Sequence, residues 1–158
     1  QDEIKVAYLK ALNQLITDKT SVIEDLQQIC SMLLQTQELE AQLEKSQEEL
    51  SVATKIVQEY FNGRPVTEND ISNGVFDTYQ KQYTQAKQKT ENLQNKITER
   101  KRKAANLNRF IKSISEMNKL FETFTSELWT GLCDHMTVHP DKKVTVTFKS
   151  RTEITIQL

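Results

Sequence analysis

Three features of the sequence predict a mainly α fold, a long antiparallel coiled-coil helical hairpin on an α+β base with a three-stranded antiparallel C-terminal meander. Apolar residues recur at alternating steps of three and four over two long stretches, as a coiled-coil seam requires. Only three glycines and two prolines interrupt 158 residues rich in Gln, Glu, Lys and Leu, a composition that favours long helices. The C-terminal stretch then changes to period-two alternation, the mark of half-buried strands.

The first helix is carried by Ile4, Ala7, Tyr8, Ala11, Leu12, Leu15 and Ile16, one face of a 3.6-residue repeat. "TDKTS" (Thr17 to Ser21) interrupts it with poor helix formers. Either a kink or a new start capped by Ser21 with Glu24 is compatible with that spacing. A heptad-like register follows through Ile29, Met32, Thr36, Leu39, Leu43, Ser46, Leu50, Ala53, Val57 and Tyr60. "FNGRPVTEND" (Phe61 to Asp70) stops it. Gly63 can take a positive φ beyond a helix end, Pro65 cannot continue a helix, and Thr67 with Asp70 suits the cap of the next one.

The return seam runs through Tyr79, Tyr83, Ala86, Thr90, Leu93, Ile97, Arg100, Ala104, Leu107, Ile111 and Ile114. A short connection between two seams implies an antiparallel hairpin, with Leu39 expected opposite the region of Leu93. About 26 residues per arm would span about 40 Å. Thr36, Ser46, Thr90 and Arg100 are polar seam positions that weaken the packing. "MNKLFETFTSELWTGL" has the apolar spacing of a shorter helix through Leu120, Phe121, Phe124, Leu128 and Leu132. Val144, Val146 and Phe148, then Ile154, Ile156 and Leu158, alternate with polar residues, with turns expected at "PDKK" and "SR". Three short strands do not stand alone, so they must pack on the first and last helices. The expected division is a base of residues 1–35 and 98–158, an arm of 36–97, and a tip at 61–76.

Charged residues make up 27% and nearly cancel, to a net charge of -1, so nucleic-acid affinity would have to come from a local patch. No apolar run approaches the roughly 18 residues of a membrane span, and no small-molecule site is visible. The chain opens at Gln1 rather than Met, as a piece of a longer protein would. Cys30 and Cys133 are far apart in sequence, and reduced thiols in a cytoplasmic setting are expected. Cys133, His135 and His139 could be metal ligands. Only one residue separates Cys133 from His135, where two to four normally separate the first ligand pair, a fourth ligand is missing, and surface histidines are the simpler reading. No phosphate loop or nucleophile setting occurs, so no catalytic residue is assigned and the piece is not expected to be an enzyme.

Two clusters remain. "ERKRKAANLNRFIK" (Glu99 to Lys112) places six cations among fourteen residues. Arg100, Lys101, Arg102, Lys103 and Arg109 are candidate phosphate contacts; the bland alternative is a solvated helix face. At the tip, Phe61, Val66, Ile71, Val75 and Phe76 are apolar where no core exists to bury them. They either meet a partner or cap the hairpin by packing on one another.

Three stretches together resemble the large serine recombinases of phages and bacterial mobile elements: "IKVAYLKALNQLI"; "YFNGRPVTENDI" with "YQKQYTQAK" and "RKRKAANLNRFI"; and "LWTGLCDHMTVHPDKKVTVTFKSRTEITI". The LW, V-T-V and T-E-I pattern of the last is the most specific part. Ser150-Arg151 stands where that family often has a glycine-containing turn. The resemblance implies a coiled-coil arm that contacts another subunit's arm in synapsis and directionality control, with DNA-backbone contacts near its base. It also implies that zinc is held upstream rather than by this piece, that the catalytic serine domain is absent here, and that a directionality factor is a further partner. The alternative is a structural coiled-coil dimerisation module.

Overall fold

The computed structural model describes residues 2–62 and 64–158, and leaves out the side chain of Phe61. The helices are α1 (Asp2–Thr17), α2 (Lys19–Leu34), α3 (Gln37–Phe61), α4 (Glu68–Ser72), α5 (Val75–Ser115) and α6 (Ser126–Leu132). They are followed by strands β1 (Cys133–Val138), β2 (Lys143–Phe148) and β3 (Glu153–Gln157). The chain is mainly helical and ends in a three-stranded antiparallel sheet of order β1-β2-β3. It divides into two compact units, one of Gln1–Leu34 with Arg102–Leu158 and one of Gln35–Lys101. No helix among the described residues is long and apolar enough to cross a membrane.

The first unit is built around the face predicted for α1. Tyr8, Ala11, Leu12, Leu15 and Ile16 pack with Leu26, Phe110, Ile114, Leu132, Val146 and Phe148. Tyr8 sits at the centre, fully buried. Its ring meets Trp129 at 5.2 Å and Phe124 at 5.7 Å, edge on, and its hydroxyl donates to the Leu128 carbonyl at 2.7 Å. Burial raises the Tyr8 hydroxyl well above the usual tyrosine range, with the Cys133 thiolate charge adding to the effect. The sheet therefore gains the hydrophobic support that three short strands need.

Between α1 and α2 only Asp18 departs from the helix. The Asp18 N–H still donates to the Gln14 carbonyl at 3.0 Å and Val22 to Asp18 at 3.2 Å. The helical bonding thus continues through Asp18, and Ser21 starts nothing new. Ile29 and Met32 do not join the seam. Both are exposed, while Leu26 and Cys30 are buried, because the helical phase resets where α2 ends and α3 begins beyond Thr36.

The stretch after α5 is not the helix its apolar spacing predicts. Residues 117–124 run as irregular chain, and α6 starts only at Ser126, capped by the Thr125 hydroxyl accepting from Leu128 N–H. Distant side chains hold the segment open. The Asn13 amide donates to Phe121 O at 2.9 Å and accepts from Phe121 N–H at 2.8 Å. Lys19 donates to Met117 O at 2.8 Å and to Asn118 Oδ1 at 3.0 Å. Met117, Phe121 and Phe124 thereby lie against the core, while Leu120 is exposed.

In the hairpin unit α3 runs antiparallel to the first part of α5. Lys101 pairs with Glu40 at 3.0 Å, Lys89 with Glu49 at 2.8 Å, and the Tyr60 and Tyr79 rings meet at 5.2 Å. Thr36 and Ser46 are buried, and Leu39, Leu43, Leu50, Ala53, Val57 and Tyr60 are half-buried, as Leu93 and Ile97 are buried on the return helix. The Ser46–Thr90 contact at 2.9 Å sets the register and puts Leu39 opposite about Ile97, one helical turn beyond the Leu93 expected. The connection is lopsided. Helix α4 and the turn at Gly74 (φ +68°) use up residues on the return side before α5 begins, and glycine takes that left-handed φ without a Cβ clash.

Candidate functional site: a cationic groove and a capped tip

In the first unit a groove of about 860 Å³ is lined by residues of α2, α5, Gly131 and Asp134, and the β2–β3 turn. Its apolar lining is Ile29, Leu33, Leu107 and Phe110; its cations are Arg102, Lys103, Arg109, Lys149 and Arg151. Asp134 is the one carboxylate among these lining residues. Arg102 and Arg109 lie seven apart on α5, two helical turns, which puts them on one face. The Arg109 guanidinium donates to Asn106 Oδ1.

Lys149 and Arg151 arrive from the turn between β2 and β3. That turn is wider than the two-residue Ser150-Arg151 turn expected. The Phe148 N–H donates to Thr152 O at 2.9 Å and Arg151 N–H to Phe148 O at 2.8 Å, with Arg151 at φ +71°. A left-handed residue closing a loop of this kind matches the right-handed twist of the strands. Buried Ser150 ties the turn to Thr152 through its hydroxyl at 2.9 Å. Lys149 donates to the Thr130 carbonyl, and Arg151 Nη1 donates to Asp134 Oδ2 at 2.8 Å.

Of the five cations expected to touch phosphate, Arg102, Lys103 and Arg109 share this groove. Arg100 and Lys101 belong to the hairpin unit. Arg100 donates to the Gln35 carbonyl at 3.3 Å and is exposed rather than packed in the seam. Lys101 donates to Glu40 and, with the Thr36 hydroxyl, holds that carboxyl below the ordinary carboxylate range. Sequence reasoning missed Lys149 and Arg151. Lys149 lies forty residues or more from Arg102, Lys103 and Arg109, and no local spacing joins them.

Cys133, His135 and His139 each have other partners. Cys133 is buried, with Sγ 3.5 Å from His135 O, and burial with the nearby Asp134 charge pushes its thiol up to about 11. His135 faces Asp134 at 3.3 Å. His139 lies just past β1, with Nε2 2.9 Å from Thr145 Oγ1. Among the described residues no three His, Cys, Asp or Glu side chains converge as a metal would need. Cys30 is also buried, donates weakly to Ala104 O, and burial raises its thiol.

The tip is organised by Asp70. Its carboxylate accepts from Thr67 N–H at 2.9 Å, Thr67 Oγ1 at 2.7 Å, Tyr60 OH at 3.0 Å and Arg64 at 2.8 Å. The Thr67 hydroxyl accepts from Asp70 N–H in return, a capping box. These bonds, those of Thr67 foremost, hold the Asp70 carboxyl well below the usual range. Arg64 also lies over the Tyr60 ring at 4.6 Å. Of the expected tip residues, Val66 and Ile71 are exposed, at 43% and 60%. Val75 and Phe76 are half-buried. The side chain of Phe61, like the expected turn residue Gly63, lies outside the described residues.

No family model, no curated protein and no solved structure matches the chain.

Proposed function

We propose that this chain serves a site-specific DNA recombinase as a non-catalytic portion, touching the DNA backbone through the cationic groove and another subunit through its hairpin. The observation that carries the first part is the convergence of Arg102, Lys103 and Arg109 with Lys149 and Arg151 around one groove. Phosphate contacts of this kind position a protein on a duplex without reading its sequence, and each adds salt-dependent affinity. Fluorescence anisotropy with random-sequence duplex DNA over a salt series tests it. Replacing Arg102, Lys103 and Arg109 by Ala is expected to weaken binding tenfold or more at low salt. The slope of log affinity against log salt should become shallower by about 0.9 for each phosphate that the variant leaves unneutralised. A native chain that fails to bind at low salt, or a variant that binds equally well, refutes this reading.

The hairpin part rests on the tip, where a hydrogen-bonded cap presents exposed Val66 and Ile71. Such a patch is small, so association should be weak in isolation. Sedimentation equilibrium of the native chain and of Val66→Asp/Ile71→Asp decides between tip contact and the alternative of dimerisation along the seam. Tip contact requires that the variant be monomeric with its helicity intact. Seam dimerisation requires that Leu43→Asp, and not the tip variant, abolish association.

A further inference from the structure

We infer that the β2–β3 turn forms a phosphodiester subsite centred on Arg151, and that Asp134 is its resident anion, occupying the guanidinium until a backbone phosphate replaces it. The inference rests on the reading of the groove as a DNA-backbone contact and names the residues that set its affinity. The backbone of Arg151 is held in place. The turn holds its backbone at φ +71°, between the Phe148–Thr152 bond and the Ser150–Thr152 pair, so the side chain leaves the chain from a fixed position at the groove.

There it meets Asp134 Oδ2 at 2.8 Å, in the geometry of a charge-assisted bond. The Arg151 side chain remains 77% exposed and Asp134 39% exposed. An ion pair that open to water is weak and can be exchanged for a phosphate arriving from solvent. Lys149, two residues away, also lines the groove, so an anion displacing Asp134 would find a second cation beside the first. Asp134 also faces His135 at 3.3 Å, which gives the displaced carboxylate a neighbour to stay with. A carboxylate lining a phosphate-binding groove opposes its own ligand twice, by holding a cation and by repelling the incoming charge.

The two effects separate in a cycle of Asp134→Asn, Arg151→Asn and the double variant, titrated with the same duplex over the same salt series. Asparagine at 151 keeps the tolerance for a left-handed φ while removing the cation. Asp134→Asn is expected to tighten binding about two- to fivefold. Its salt slope should match that of the native chain, because Arg151 neutralises the same phosphate in both complexes, whereas Arg151→Asn should make the slope shallower by about 0.9. Arg151→Asn should weaken binding and shrink the gain from Asp134→Asn. Circular dichroism confirms that each variant is folded, and Asp134→Ser replaces Asp134→Asn if the latter is not. If the native chain binds and Asp134→Asn changes nothing, the inference falls while the DNA reading stands. If the gain is equally large in the Arg151→Asn background, Asp134 acts by repulsion alone and the subsite assignment is wrong. If neither the native chain nor Asp134→Asn binds duplex at low salt, the DNA reading itself fails and takes the subsite with it.

Discussion

Ser46 and Thr90 meet hydroxyl to hydroxyl at 2.9 Å across the hairpin seam, with Ser46 fully buried. Thr90 Oγ1 also lies 2.9 Å from the Ala86 carbonyl and 3.2 Å from the Ser46 carbonyl. A hydroxyl has one proton, so when Thr90 gives its own to a carbonyl, Ser46 must donate to Thr90. The polar layer expected to weaken the seam is therefore hydrogen-bonded throughout.

That asymmetry makes the two single substitutions unequal. Thr90→Val removes the acceptor of a buried hydroxyl and is expected to cost about 1–3 kcal/mol. Ser46→Ala leaves Thr90 its carbonyl acceptors and should cost about 1 kcal/mol or less. The double variant Ser46→Ala/Thr90→Val, with both polar groups gone, should recover part of the Thr90→Val loss. Urea unfolding of the three proteins measures it, and additive losses would contradict the pairing.

The tip should resist acid. Asp70 has a folded-state pKa below its unfolded value of about 3.9. Its contribution to stability is therefore fully present above that unfolded value and is lost only as pH falls through the folded one. Amide protection in residues 67–72, taken relative to the intrinsic exchange rate at each pH, should hold from neutral pH to about pH 4 and decline below it. In Asp70→Asn the same amides should exchange faster at neutral pH, with the helicity of α3 and α5 retained. Unchanged protection in the variant would show that the cap does not depend on this carboxylate.

Asn13 is expected to be among the least replaceable polar residues of α1. Asn13→Ala would leave the N–H and carbonyl of Phe121 without their partner, at a cost of about 2–3 kcal/mol. Limited proteolysis should then cut within residues 117–124, a segment secured by Asn13 and Lys19. Asn13→Asp, which keeps only the acceptor, should be partly destabilised. Resistance to proteolysis equal to that of the native chain would refute the role.

Tyr8→Phe removes the hydrogen bond to Leu128 while keeping the ring, and about 1 kcal/mol of stability should go with it. Because burial raises the Tyr8 pKa above its unfolded value of about 10, the native chain should lose stability as pH rises past 10. Phe at this position removes that component. Thermal melts of both proteins from pH 8 to 11 compare them directly.

What local spacing can carry, it carried here. From Thr36 to Tyr60 the three-four rhythm names residues that are all buried or half-buried, and Thr67 with Asp70 forms the cap the pair suggests. Ile29 and Met32 keep the same rhythm yet face solvent, because a period has no memory across the break at Gln35 and Thr36. Residues 117–124 have helical spacing but answer to Asn13 and Lys19, roughly a hundred residues earlier. The groove was half legible. Arg102, Lys103 and Arg109 stand out as a basic run, whereas Lys149 and Arg151 reach it only because β2 and β3 pair.

The cap at the end of the hairpin is built from residues close together in the sequence. The bonds described for it join Tyr60, Arg64, Thr67 and Asp70, with Tyr79 as the aromatic neighbour below. Matched whole heptads added to or removed from α3 and α5 would move this cap outward or inward without altering one of those bonds. Reach and recognition can thus change independently over evolution. One class of insertions sets how far the hairpin extends, while substitutions at Val66 and Ile71 change only the surface that the proposed tip contact would use.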